Sequence, residues 1–296
     1  MKVDAVHVGL KRAGSTLLRA FYEDHPRISW SREGTYFLDD RRFEREKYED
    51  VVRRPAGSDV HVDMHEHLAV GMRYSDEERL AAVRFRYAAD DYPAYAPIDR
   101  FEVARRIRQT VPEAKIVLVL RNQIDWLGCH YRNFYTSLEA GRRAFPQFLN
   151  THEGRLVADA AAFDRTVATY LELFGASRVR VLLLEDMSRD LQAAFDRLCD
   201  FLGVPRHRFQ PAERDYHRGQ DEAAIVGLRA QEGRSFWRRL IGGSAPAHGA
   251  AARDRHSEID LFSPAEVDWI TGVYGASNAR LARLLDRDVS AVGYRY

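Results

Sequence analysis

Apolar and polar positions alternate from Val3 to Val8, which predicts a buried strand very near the start of the chain. A loop punctuated by Gly9 and Gly14 follows. Leu17, Leu18 and Phe21 then fall on one face of a helix that Asp24-His25-Pro26 stops. Residues 28–37 read as a short strand entering a polar-aromatic loop, and the charged residues 39–57 as an exposed helical excursion. Val60 to Leu68 alternates again and places His61, Asp63, His65 and His67 on one face of a strand. Residues 73–89 have helical character, and 90–95 form an extended turn before and around Pro93.

Asp99 is placed to cap a helix, with Glu102 completing a capping box, Phe101, Val103, Ala104 and Ile107 inward, and Pro112 closing it. Lys115 to Leu120 is a short, β-branched, uninterrupted apolar run, as expected of a central parallel strand. A helix begins near Gln123. Helical spacing recurs over 159–174, with Gly175 as its stop, and over 189–202, ended by Gly203 and Pro205; the buried strand Val179–Leu184 lies between them. Residues 206–260 are irregular and read as loops that include a lid. Ser263-Pro264-Ala265-Glu266 opens the last helix with a capping box, and Val267, Ile270, Tyr274, Leu281, Leu284 and Leu285 pack from it. No repeat or linker interrupts the series, so residues 1–296 read as a single α/β domain.

Composition narrows the classes. Hydrophobic residues are 45% of the 296, enough for a sizeable core, and no apolar run reaches membrane-spanning length. The early first strand leaves no room for a signal peptide, so a cytoplasmic location is expected. Cys129 and Cys199 are too few for a disulfide framework or a zinc cluster. Of the basic residues only four, at 2, 11, 47 and 115, are Lys; Arg suits planar oxyanions. Interspersed acids and a net charge of +1 argue against a nucleic-acid partner.

The candidate chemistry starts at the first loop. Gly9, four residues, Gly14, a small residue and Thr16 have the spacing of a phosphate loop, whose backbone N–H groups wrap an anion at the positive end of a helix. The triphosphate-binding version has Lys after the second Gly, where Ser15 stands, and here the basic residues Lys11 and Arg12 come earlier. A phosphate ester other than a triphosphate is the expected ligand. The second site is Arg121-Asn122, emitted at the carboxyl end of the 115–120 strand, where open α/β sheets bind ligands. The polar stripe His61, Asp63, His65 and His67 would need donors from elsewhere to close a metal shell, so it is read as a polar face that reaches the site through one member.

Together these stretches resemble the sulfotransferases that use 3′-phosphoadenosine 5′-phosphosulfate, above all their carbohydrate-type and bacterial branches. Arg12-Ala13-Gly14-Ser15-Thr16 is similar to the family's Lys/Arg-x-Gly-Thr-Thr loop. Arg121-Asn122…Asp125 is similar to its Arg-Asn-Pro-x-Asp motif, with Cys129 where a Ser stands. Glu33-Gly34-Thr35-Tyr36-Phe37, Pro93-Ala94-Tyr95, Glu185-Asp186, Phe201-Leu202-Gly203-Val204 and Tyr274…Asn278…Leu281…Leu285 extend the likeness over most of the chain. The departures are Arg12 for the loop Lys, Cys129 for the Ser, and Asp90-Asp91 for a Glu-Lys pair.

The resemblance implies a P-loop-like three-layer α/β fold with a central, mostly parallel sheet flanked by helices. It implies sulfuryl transfer to a hydroxyl or amine of a small-molecule, sugar or lipid acceptor, with no metal required. Lys11, Arg12, the backbone from Ala13 through Gly14 to Leu17, and the Ser15 and Thr16 hydroxyls would hold the 5′-phosphate. Arg121 and the 129 position would hold the 3′-phosphate. Glu33 would be the base, with His65, or His67 beside it, as its rival. A small-molecule kinase with a phosphate loop, using Asp186 for magnesium, and a non-catalytic nucleotide-binding protein are the alternatives.

Overall fold

In the computed structural model, residues 3–38, 48, 52, 55–73, 96–135, 144–209 and 261–296 are described. Five parallel strands make the main sheet: β1 (Ala5–Val8), β2 (Ile28–Ser31), β3 (Val60–His65), β6 (Lys115–Leu120) and β7 (Val179–Leu183), in the order β2-β3-β1-β6-β7. β4 (Met72–Arg73) and β5 (Ala96–Pro97) form a small antiparallel pair. β1 lies between β3 and β6, with Val8 opposite both His65 and Leu118. The loops that leave β1, β3 and β6 therefore emerge side by side.

Pleating divides the sheet into two buried faces. Ala5, Val62, Met64, Val117, Val119 and Leu182 meet α1 (Ser15–Asp24), where Phe21 stacks at 4.1 Å on Phe195 of a later helix. On the other face Val6, Val8, Ile116, Leu118 and Leu120 join the larger core. That core includes residues of α2 (Arg100–Thr110), α3 (Gln123–Tyr135), α4 (Phe145–Asn150), α5 (His152–Ala160) and α6 (Phe163–Phe174). α7 (Leu184–Arg189) and α8 (Leu191–Leu202), which carries Phe195, follow β7, and α9 (Pro264–Leu284) closes the larger core. This is the three-layer α/β arrangement expected. Among the described residues no helix is long and apolar enough to cross a membrane.

Several local expectations change. The helix expected over 159–174 is two, α5 and α6, broken at Ala161-Ala162. No Gly or Pro marks that break; it lets Phe163 pack edge-on against Trp126. The 189–202 helix begins at Leu191 because the Asp190 side chain caps it through Ala193 N–H, and a separate α7 precedes it. Asp99 does cap α2, but Glu102 pairs with Arg105 and Arg106 instead of completing a box. The box at Ser263 and Glu266 is present, whereas Leu284 is exposed. β3 stops at His65, so His67 sits in the following turn and not on the strand face. Within 39–57, read as a solvated excursion, the described Tyr48 and Val52 are buried. The 73–89 helix, the 90–95 turn and nearly all of 206–260 lie outside the described residues.

Candidate active site

The loop between β1 and α1 is shaped by two backbone positions. Gly14, the residue before α1, has φ 102°, and a Cβ there would approach Leu184 Cδ1 to 2.9 Å. Arg12 adopts φ 70°, a left-handed conformation that a side chain makes unfavourable by about 1–3 kcal/mol and that persists where surroundings enforce it. Part of that enforcement is visible one residue earlier. The Lys11 carbonyl accepts from Trp126 Nε1 at 2.8 Å and from His130 Nε2 at 3.3 Å, so α3 grips the loop by its backbone. His130 is itself buried, with Nδ1 3.5 Å from the buried Glu153 carboxylate; burial lowers its pKa, and Glu153 opposes the shift.

The donors aimed into the loop can be counted one by one. Ala13 N–H bonds Leu10 O at 3.1 Å and Leu17 N–H bonds Gly14 O at 3.0 Å. This narrows the expected cradle: among the described residues no backbone carbonyl takes the N–H groups of Gly14, Ser15 and Thr16. The Ser15 hydroxyl is buried and has no hydrogen-bond partner. No acidic residue occupies the first turn of α1. An unmet set of donors at a helix N-terminus is what an anion fills.

The second expected anion site lies beside the first. Arg121 follows β6, and Asn122 caps α3 by accepting from Asp125 N–H at 3.0 Å and donating to the Asp125 carboxylate at 2.8 Å. Asn122 N–H and side-chain amide also donate to Glu185 at 2.8 and 3.0 Å, tying the end of β6 to α7. Burial raises the pKa of Glu185, and these bonds lower it. Asn122 and Asp125 thus build the turn that presents Arg121. Cys129, half-buried, lies on α3 next to His130. Asn278 of α9 holds Gln123 through bonds of 2.7 and 3.1 Å, so the last helix braces the same turn.

Glu33 and His65 stand on the other side of β1. Gly9 N–H donates to His65 O at 3.0 Å, which joins the loop to the end of β3. Glu33 opens the 3₁₀ turn Glu33–Leu38 and is exposed. His65 is buried and its Nδ1 accepts from His67 N–H at 3.3 Å. Burial, with His65, Lys11, His130 and Arg32 nearby, holds the His67 pKa well below the usual histidine value. Among the described residues no three His, Cys, Asp or Glu side chains are grouped to hold a metal. The sheet order therefore brings Lys11 through Leu17, Arg121, Glu33 and His65 to one edge, and Cys129 lies farther along α3, beside the His130 that reaches Lys11 O.

Sequence reasoning gave no role to Trp126 or His130 in this edge, and did not single out Asp63 within the polar stripe. Trp126 and His130 are four apart on a helix, a spacing that could have shown them facing one neighbour. Asp63 stood within the alternating stripe, but its partners Ser31, Glu33 and Tyr48 come from other segments.

The sulfotransferase of Alicyclobacillus acidocaldarius has the same fold: TM-score 0.61 and 18% identity, covering 99% of both chains. The mouse sulfotransferase SULT7A1, solved with PAP, gives 0.49 and 13% over 97% of this chain and 90% of its own. Sulfotransferase STF9 from Mycobacterium avium gives 0.42 and 12% over 97% and 78%. Comparison with curated proteins finds no match. The sequence profile of the sulfotransferase family matches residues 5–208, from β1 to the end of α8 and just beyond, and so takes in both anion motifs, Glu33 and His65: the chain belongs to the sulfotransferase family.

Proposed function

We propose that this sulfotransferase takes its sulfuryl group from 3′-phosphoadenosine 5′-phosphosulfate and passes it to a hydroxyl or amine of a small-molecule, sugar or lipid acceptor. On this reading it works as one domain over 1–296, in the cytoplasm, without a metal and without a nucleic-acid partner. The observation that carries the reading is the buried, unpartnered Ser15 hydroxyl beside the three unmet N–H groups of Gly14, Ser15 and Thr16. They fit a phosphate ester at the positive end of α1.

The donor supplies a sulfuryl group already activated by its bond to the 5′-phosphate. Gly14 to Thr16 hold that phosphate, and Arg12 with Lys11 stabilises the negative charge that grows on it. Arg121, presented by the Asn122 turn, binds the ribose 3′-phosphate together with the 129 position. Glu33 takes the proton from the acceptor hydroxyl. Its rival His65 is less suited. With Nδ1 accepting from His67 N–H, a neutral ring carries its proton on Nε2 and has no lone pair to offer there. The kinase alternative loses support because Asp186 is engaged by Arg287.

Calorimetry with 3′,5′-bisphosphoadenosine tests the reading. Tight binding in the absence of magnesium is expected. A magnesium-dependent preference for ADP or ATP would overturn it, and transfer of labelled sulfur across an acceptor screen would then name the acceptor class.

A further inference from the structure

Asp63 is a buried charge that the proposed chemistry leaves unused. It is 0% exposed. Three donors converge on its carboxylate: the Ser31 hydroxyl at 3.0 Å and the Glu33 backbone N–H at 2.9 Å on Oδ1, and the Tyr48 hydroxyl at 2.6 Å on Oδ2. Behind Ser31, His61 Nε2 donates to the serine oxygen at 3.0 Å, and His61 Nδ1 meets Ser29 Oγ at 2.9 Å. The neighbouring strand β1 offers only apolar Val6 opposite Asp63. A carboxylate is expensive to bury, and an apolar residue would serve a core better if stability were all that mattered.

We propose that Asp63 is a positioning residue: its carboxylate holds the first N–H of the Glu33–Leu38 turn and thereby fixes Glu33 at the sheet edge. The proposal rests on the reading of Glu33 as the base. Ser31 pairs with Asp63 across the β2–β3 ladder, so the turn begins two residues beyond a fixed register. Gly34 presses on β3 so closely that a Cβ would lie 2.8 Å from His65 Cβ. Ionised, Asp63 accepts from all three donors; protonated, one of its oxygens carries a hydrogen that competes with the donor it faces. Burial pushes its pKa up to about 6, against the pull of the bonds from Tyr48, Ser31 and Glu33 N–H, and the Glu33 carboxylate raises it further. The charge is therefore present at neutral pH. It is lost in mild acid, and one oxygen of the anchor then becomes a donor itself.

The test follows formation of 3′,5′-bisphosphoadenosine from the sulfuryl donor, which counts transfer to water or to any acceptor, from mildly acid to mildly alkaline pH. Asp63→Asn keeps the shape and removes the charge. Turnover is expected to fall about tenfold or more, in the manner of a slightly misplaced group, while calorimetric binding of 3′,5′-bisphosphoadenosine is kept. The acid limb that protonation of Asp63 imposes on the wild type should be missing from Asp63→Asn. Unchanged turnover, an unchanged limb, or loss of nucleotide binding in step with turnover would overturn the proposal.

Tyr48→Phe decides if Asp63→Asn does not fold. With one stabilising donor gone the acid limb should move to higher pH, and an unmoved limb overturns the proposal. Glu33→Gln separates the two readings. If it turns over normally, the base reading fails. If it is slow while Asp63→Asn is fast, only the positioning role fails.

Discussion

The two flanks of β1 present their chemistry by different means. On the β6 side and in the loop itself, the groups proposed to meet an anion are neighbours in sequence: Lys11 through Thr16, then Arg121 with its Asn122 and Asp125 cap. On the β2–β3 side, one exposed carboxylate, Glu33, stands on a turn anchored by groups 15 to 32 residues apart in the chain. Binding a phosphate needs many weak donors that a short stretch of backbone can supply. Placing one base needs an external frame. A change on the anion side should therefore weaken nucleotide binding and turnover together, and a change on the carboxylate side should affect turnover alone.

The largest expected effect breaks that contrast most directly. Glu33→Gln should lower turnover by about 10²–10⁴-fold with 3′,5′-bisphosphoadenosine binding intact, measured by steady-state kinetics beside calorimetry. Normal turnover would remove the carboxylate side from the chemistry. Next, Arg12→Ala should reduce turnover about 10²–10³-fold, the usual consequence of losing one group aimed at developing charge. An unchanged rate would transfer that role to Lys11. A smaller effect sharpens the picture of the loop. Trp126→Phe removes the 2.8 Å bond to the Lys11 carbonyl, a contribution of about 0.5–1.5 kcal/mol. Nucleotide affinity should fall by roughly two- to tenfold, with the acid limb of turnover unmoved.

The same contrast explains what could be read from the chain alone. Gly9, Gly14 and Thr16 announce the loop because a local backbone requirement selects small residues at fixed spacing. Lys115 to Leu120 announces the central strand because burial on both faces leaves no room for polarity. Asp63 looked like one more polar tooth in an alternating strand, since nothing local says that Tyr48 reaches it from a stretch rich in charge. The break at Ala161-Ala162 was equally silent, because the packing of Phe163 on Trp126 and not local propensity sets it. The Ala13 and Leu17 N–H groups looked available until their partners Leu10 and Gly14 were in place.

The raised pKa of Asp63 has a thermodynamic side. A carboxyl near 3.8 in the unfolded chain and about 6 in the fold binds its proton more tightly when folded. Linkage then makes this group's share of folding stability greatest in acid, and that share declines as pH rises through the interval between the two values. At about 1.4 kcal/mol per unit, keeping it charged at neutral pH costs the fold about 3 kcal/mol. Thermal denaturation and catalysis should consequently disagree about the best solvent: from this residue's standpoint the protein is hardest to melt where its enzyme works worst.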